Sequence, residues 1–312
     1  MGELLAIGAL VLFSTNIIIT KLATDRMNLN VGFLISVGVN VIFASFLFVI
    51  QVLFFTDQPI HWNGKGFFLF LLTGLFSTYL GRWLFFETIE KLGPTRASAF
   101  QITNPLFTTI IAWLFMNEKL GWLDLLNIIL ILFGLFLVSH VSKGSMTKEV
   151  AASGLDTDSA HLLFWKGLLQ SGVIIALLSS LSYAVGNVIR GAAIQSWNEP
   201  ILGGVIGASM GLLLHVATNN NTRNFWIELK RSNRTGILFY VISGVITISA
   251  QILVIASMGY IPISIANLIT LSTPVIVTPV SFLLFKNKEG ITLKTIVGIV
   301  LVMVGISLIV LN

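Results

Sequence analysis

In the run YLGRWLFFETIEKLGPTRASAF, Tyr79 to Phe100, a guanidinium (Arg82) and a carboxylate (Glu87) stand among residues otherwise suited to lipid. A charged side chain at the middle of a membrane helix costs on the order of 2.5–3.5 kcal/mol, so such residues normally face a cavity or a partner. Five positions separate the two, about 140° around an α-helix, which is a poor arrangement for pairing with each other. Glu87 has Lys91 one turn on, whereas Arg82 has no acidic residue three or four positions away. Two roles stand open for Arg82. Its fork of donors would clamp a carboxylate or phosphate in a cavity, or its long stem would snorkel and tie helices together. Glu87 reads as a gate residue or proton acceptor, or as a helix-end group bonded outward.

Neutral polar residues also interrupt the apolar runs: Asn16, Tyr79, Gln101, Asn104, Tyr183, Asn187, Gln251 and Asn267. Interhelical bonding alone can satisfy each of them. Taken together they describe a polar lining at mid-membrane for a small-molecule substrate, with Trp83, Phe86 and Phe100 as an apolar wall. Pro105, Pro274 and Pro279 fall inside apolar runs, where each removes a backbone bond, bends its helix and marks a hinge. Glu118 and Glu289 stand at helix ends and read as caps or anchors. No set of catalytic or cofactor-binding residues emerges. The chain has no cysteine, and His61, His140, His161 and His215 are scattered over loops and helix ends. Neither an H-E-x-x-H helix nor a G-x-x-x-x-G-K-[ST] loop occurs. An enzyme, a bound metal and an ATP-driven pump are therefore not expected. The alternative from a different class is an integral membrane enzyme acting on lipid, which would gather acids or histidines at one interface.

The elements that must position these residues are legible from composition. Of 312 residues 55% are hydrophobic and 10% charged, against about a quarter charged in soluble domains. Apolar runs near the roughly 20 residues a crossing helix needs recur at about 3–22, 31–55, 66–89, 94–116, 121–141, 168–194, 200–217, 235–257, 262–285 and 292–311. With no water to satisfy their backbone groups, they are expected to be ten helices, an all-α polytopic membrane protein. The first run lacks a positive leader and a small-residue cleavage site, so it reads as a span and not as a removable signal. The net charge of +5 falls in short loops and points to topology, with no nucleic-acid partner. Lys65, Lys119 and Arg190 fall on the side of the termini and the remaining Lys and Arg, Arg82 within its span excepted, on the other. The positive-inside rule then puts the termini outside the cytoplasm.

A polar linker, 142–166, separates residues 1–141 from 167–312, five runs on each side. The two halves share a rhythm: Gly74 corresponds to Gly244, Gly93-Pro94 to Ile261-Pro262, Asn104-Pro105 to Thr273-Pro274, and Gly134 to Gly305. An odd number of spans per copy makes the second copy enter the membrane from the opposite side. The expectation is two inverted five-helix repeats around a central cavity, with the substrate site where they meet.

The paired motifs resemble the EamA family of the drug/metabolite transporter superfamily. They are Phe86-Glu87-Thr88, Gly93 to Ala99, Pro105, Phe115, Glu118-Lys119-Leu120 and Gly134, and again Pro262 to Ala266, Pro274, Phe282 to Phe285, Glu289 and Gly305. The resemblance implies a carrier in a bacterial or archaeal cell membrane. Spans 1, 3, 4, 6, 8 and 9 would line its route, with spans 5 and 10 outside. It implies an amino acid or related metabolite as substrate, anionic if Arg82 is the clamp, with export favoured. Nucleotide sugars, sugar phosphates and drugs are the alternatives. Coupling to a proton or ion, and a monomeric or homodimeric state, stay open. Both termini of family members usually lie in the cytoplasm, against the charge count. The small multidrug relatives carry a glutamate in the first span, where this chain has Ser14-Thr15-Asn16.

Overall fold

The computed structural model describes residues 1–24, 26–27, 29–55, 61–92, 100–101, 103–116, 118, 121–139, 171–218, 225–285 and 293–311. Every regular element among them is a helix. In chain order these are α1 (Gly2–Thr24), α2 (Leu29–Phe54), and α3, which runs through 64–92. Next come α4 (Thr103–Met116), α5 (Trp122–Ser139), α6 (Ser171–Ser196) and α7 (Pro200–Thr218). A short helix, Phe225–Arg231, leads into α8 (Arg234–Ser257). The last two are α9, in two pieces (Ile263–Leu271 and Pro274–Phe285), and α10 (Leu293–Leu311). The 142–166 linker, Glu289 and the Gly93-Pro94 pair lie outside the described residues.

Among the described residues six helices are long and apolar enough to cross a membrane: α1, α2, α3, α6, α7 and α8. In α4, α5, α9 and α10 the apolar helical runs among the described residues are shorter, so the ten expected spans are seen in part, as six long helices and four shorter ones. The reason is clearest in α9. Pro274 has no N–H to donate, and Ser272 ends the first piece with φ −71° and ψ 21°. Pro274 then opens the second piece at the position where its ring fits best. The three prolines therefore differ in role. Pro105 is the third residue of α4, within the first turn, where backbone N–H groups have no helical partner anyway. It stands at the start of the described helix and not in its interior, where the sequence expectation puts it. Of the three, Pro279 alone stands inside a continuous helix.

Several buried hydroxyls are satisfied within their own helices, which lets small polar residues enter the core without a cavity: Ser14 bonds the carbonyl of Leu10 at 2.7 Å, Thr270 that of Ala266 at 2.7 Å, and Ser272 that of Leu268 at 2.8 Å. Packing then pairs helices across the halves. α1 lies on α8 and α6 on α3; α2 touches α8 as α7 touches α3; α1 meets α9 as α6 meets α4. α5 and α10 pack on each other, with many outward Leu, Ile, Val and Phe side chains left for lipid. Their contact is reciprocal: a Cβ on Gly134 would sit 2.8 Å from the Gly298 carbonyl, and one on Gly305 would sit 2.5 Å from Ile131 Cγ1. A single apolar cluster holds Phe70 of α3, Ile194 of α6, Trp197 just beyond it, Met258 beyond α8 and Ile263 of α9.

The middle of α3 is unusual. Residues Gly74–Gly81 form a π-helix between two α-helical pieces, a register that is rare and concentrated at functional sites. Small residues grip it. A Cβ on Gly74 would meet the Gly207 carbonyl of α7 at 2.5 Å, backbone that cannot turn away, whereas a Cβ on Gly207 would have 3.7 Å of clearance. Gly74→Ala is therefore expected to lower stability by about 1–3 kcal/mol, the usual range for overpacking, and Gly207→Ala to leave it unchanged. Thermal unfolding of both variants in detergent checks this; equal melting temperatures would contradict the packing.

Candidate functional site

Two polar clusters meet along the π segment of α3. The first joins α4, α6 and α9 through three amides that are 3% (Asn104), 7% (Asn187) and 2% (Asn267) exposed. Asn267 Nδ2 donates to Asn104 Oδ1 at 3.2 Å and to Thr108 Oγ1 at 2.9 Å. Its Oδ1 accepts from Asn187 Nδ2 at 2.7 Å. Asn187 Nδ2 also lies 3.4 Å from Asn104 Oδ1, to which Thr108 donates at 3.1 Å. Asn267 thus ties both other helices with one amide group.

Arg190, one turn from Asn187 on α6, extends this cluster to α3. Its Nη1 donates to Asn187 Oδ1 at 3.1 Å and its Nη2 to Ser77 Oγ at 3.3 Å. The residue is 6% exposed, and its Nε is buried with no hydrogen-bond partner. The sequence places Arg190 near the end of the 168–194 run and counts it with the charges on the side of the termini; α6 continues to Ser196, so Arg190 lies well inside it. The available signal is the i, i+3 spacing from Asn187, which puts both on one helix face.

The second cluster surrounds Arg82. Its guanidinium lies over the Phe33 ring of α2 at 4.6 Å from the centroid, a cation–π contact. Phe33 in turn meets the His215 ring of α7 edge-on at 4.6 Å, and Tyr79 meets it at 5.0 Å. His215 Nε2 is 3.1 Å from the Thr78 carbonyl. A carbonyl only accepts, so this nitrogen carries the proton. Arg82 Nη1 is buried without a hydrogen-bond partner, and Tyr183 lies within electrostatic reach of the group. His215 lies at a helix end, as the sequence suggests, in the last turn of α7, where it joins the Arg82 cluster. Among the described residues no carboxylate comes within ion-pair distance of Arg82 or Arg190; the ion pair found joins the N-terminus to Glu3 at 3.3 Å.

The π register explains how side chains from neighbouring helices serve α3. Altered backbone bonding leaves carbonyls available, and His215 takes that of Thr78 while Ser179 Oγ donates to that of Gly81 at 2.8 Å. Gln101 Nε2 donates to Ser179 Oγ at 3.1 Å, so Gln101 is a tie to α6 just before α4 begins. Asn16 lies apart from both clusters, accepting from Ser243 Oγ of α8 at 2.6 Å. Gln251 is half-buried on α8, also apart. Trp83 is 49% exposed on the outer side of α3, and Glu87 is half-buried five residues beyond Arg82. Glu118 behaves as the sequence suggests. One oxygen accepts from the Ile263 N–H, and the other from the Ser264 N–H at 3.4 Å and Oγ at 2.5 Å, capping α9 from the end of α4.

An interhelical hydrogen bond in a membrane protein is worth about 0.6 kcal/mol on average and at most about 1.7 kcal/mol. Asn267→Ala removes three such bonds and strands buried partners, which costs more than the loss of one bond. We expect it to destabilise the protein by roughly 1–3 kcal/mol, and Asn16→Ala by about 0.6 kcal/mol. Equilibrium unfolding in mixed micelles ranks the two; the reverse order would show that the amide cluster is not a structural tie.

The family model described as the EamA-like transporter family matches residues 1–140 and 170–311. One solved structure, described only as a crystal structure of a protein, superposes with a TM-score of 0.69 at 13% sequence identity. The match covers 99% of this chain and 98% of that one, and likeness at this identity concerns the fold alone. No curated protein sequence matches the chain.

Proposed function

The chain belongs to the EamA-like transporter family, and we propose that it is a secondary carrier of a small organic metabolite working by alternating access. Members of the family are transporters of the drug/metabolite superfamily, and the chain is an integral, multi-pass membrane protein. The observation that carries the finer reading is Arg82. Its guanidinium sits within the helices, with Nη1 buried and unpartnered and no described carboxylate in ion-pair range. A buried cation without a counter-ion is costly, and an anionic substrate is the partner that would remove the cost while bound.

The architecture favoured for this carrier is the expected one, ten helices as two inverted five-helix repeats. Support comes from the packing: most helix contacts have a counterpart when each helix is exchanged for the one five places away, as α1 on α8 answers to α6 on α3. Alternating access needs one side sealed at a time. The Phe70, Trp197, Met258 and Ile263 cluster and the Glu118 cap on α9 are suited to be that seal, since both join parts of the two halves. The interruption of α9 at Ser272–Pro274 is where the second half would flex. A phosphorylated solute is the second reading, because phosphate satisfies the same guanidinium fork.

Purified protein in liposomes is expected to move an organic anion down its gradient without ATP. Arg82→Ala removes a charge-assisted bond, worth about 1.5–3 kcal/mol, so uptake below saturation falls about tenfold or more. Wild-type rates in a folded Arg82→Ala variant would dismiss the clamp, and absence of any solute flux would dismiss the carrier.

A further inference from the structure

Resting on the carrier reading above, we infer that Arg190 and Arg82 form the two ends of one site for a two-headed organic anion, a short dicarboxylate. Arg190 is not among the residues that the sequence marks for substrate. Its surroundings separate it from a simple helix tie. Nη1 and Nη2 are each held by one neutral oxygen, from Asn187 and Ser77, and these fix the plane of the guanidinium. The Nε N–H stays buried and unpartnered. Together with the second hydrogen on the adjacent Nη, Nε makes the edge that takes a carboxylate through two parallel bonds. Neutral neighbours orient the group without cancelling its charge, and among the described residues no acid does so either.

The π segment relates the two arginines. Ser77, which holds Arg190, and Arg82 are five residues apart on α3. In an α-helix that spacing turns a side chain well away, whereas the wider turn of the π segment, which ends at Gly81, brings Arg82, the first residue after it, back toward the side of Ser77. The ties at both ends show that α3 and α6 are antiparallel: Asn63 Nδ2 bonds the Ser196 carbonyl at 2.8 Å, and Ser179 Oγ bonds that of Gly81 at 2.8 Å. The Arg190 guanidinium therefore reaches α3 at the level of Ser77, while Arg82 stands about one π turn further along α3. Between them lie Gly81 and Tyr183. A Cβ on Gly81 would sit 3.1 Å from the Tyr183 ring, so α3 presents no side chain to that ring at this level. Two cationic forks at this separation, with an aromatic ring beside the path between them, suit carboxylates at both ends of a short chain. One point charge would be served by one arginine.

The test is ligand-induced thermal stabilisation of the purified full chain in detergent, comparing succinate, butyrate and inorganic phosphate at equal ionic strength. Succinate is expected to stabilise the wild type most. Arg190→Gln and Arg82→Gln should each weaken apparent succinate affinity about tenfold, to the level of butyrate. In the absence of ligand, Arg190→Gln should raise the melting temperature, since it removes an uncompensated buried charge; a mere helix tie would lower it. Arg190→Lys, which keeps the charge and loses the fork, should bind succinate as weakly as Arg190→Gln. Equal stabilisation by succinate, butyrate and phosphate would overturn the two-point site, as would Arg190→Gln binding succinate like the wild type. If liposomes carry a neutral or singly charged solute while succinate is inert, the two-point site fails and the carrier reading survives.

Discussion

A guanidinium removed from water must find its compensation in protein or in ligand, and the centre of this fold is organised by that requirement. Arg82 and Arg190 carry fixed positive charge among helices whose outer faces are apolar. Neutral oxygens and an aromatic face orient them. These groups lower the desolvation cost without removing the positive potential. In the proposed site, Arg82 Nη1 and Arg190 Nε, both buried and unpartnered, are the donors left for an anion, so a cost in the empty protein would become affinity in the loaded one.

The rest of the architecture supplies rigid placement. The π segment of α3 requires backbone carbonyls to be served from outside, and His215, Ser179 and the close approach of α7 at Gly207 meet that need. The amide cluster of Asn104, Asn187 and Asn267 ties the two halves at one point. Glu118 ties them at another, through the N-terminus of α9. These ties have different chemistry. The amides are shielded and neutral, whereas the cap is a carboxylate held by backbone donors, which exchange with water more readily if that end opens.

Much of this is legible in the sequence. Apolar runs mark the helices, and Gly134 and Gly305, matched in the sequence as equivalent positions of the two halves, prove to sit at reciprocal close contacts between α5 and α10. Asn104, Asn187 and Asn267 stand out as polar residues in apolar runs and prove to be one cluster. Other features are hidden for physical reasons. Periodicity cannot report a π register, because inserting one residue per turn changes no residue type. Arg190 reads as a terminal-side charge near the end of its apolar run, although α6 continues six residues further and buries it. His215 is isolated in sequence, and its neighbours Phe33 and Tyr79 come from α2 and α3. Pro105 reads as a kink because the start of α4 at Thr103 is not marked by an apolar boundary.

Anomalous diffraction from crystals grown in bromide, a monovalent anion with a strong signal, would test most directly whether the two guanidinium groups await an anion. Bromide is expected beside Arg82 Nη1 and Arg190 Nε, displaced when a dicarboxylate is added. A carboxylate of the chain itself resting on either guanidinium, or a sealed centre with no bromide at both, would contradict it.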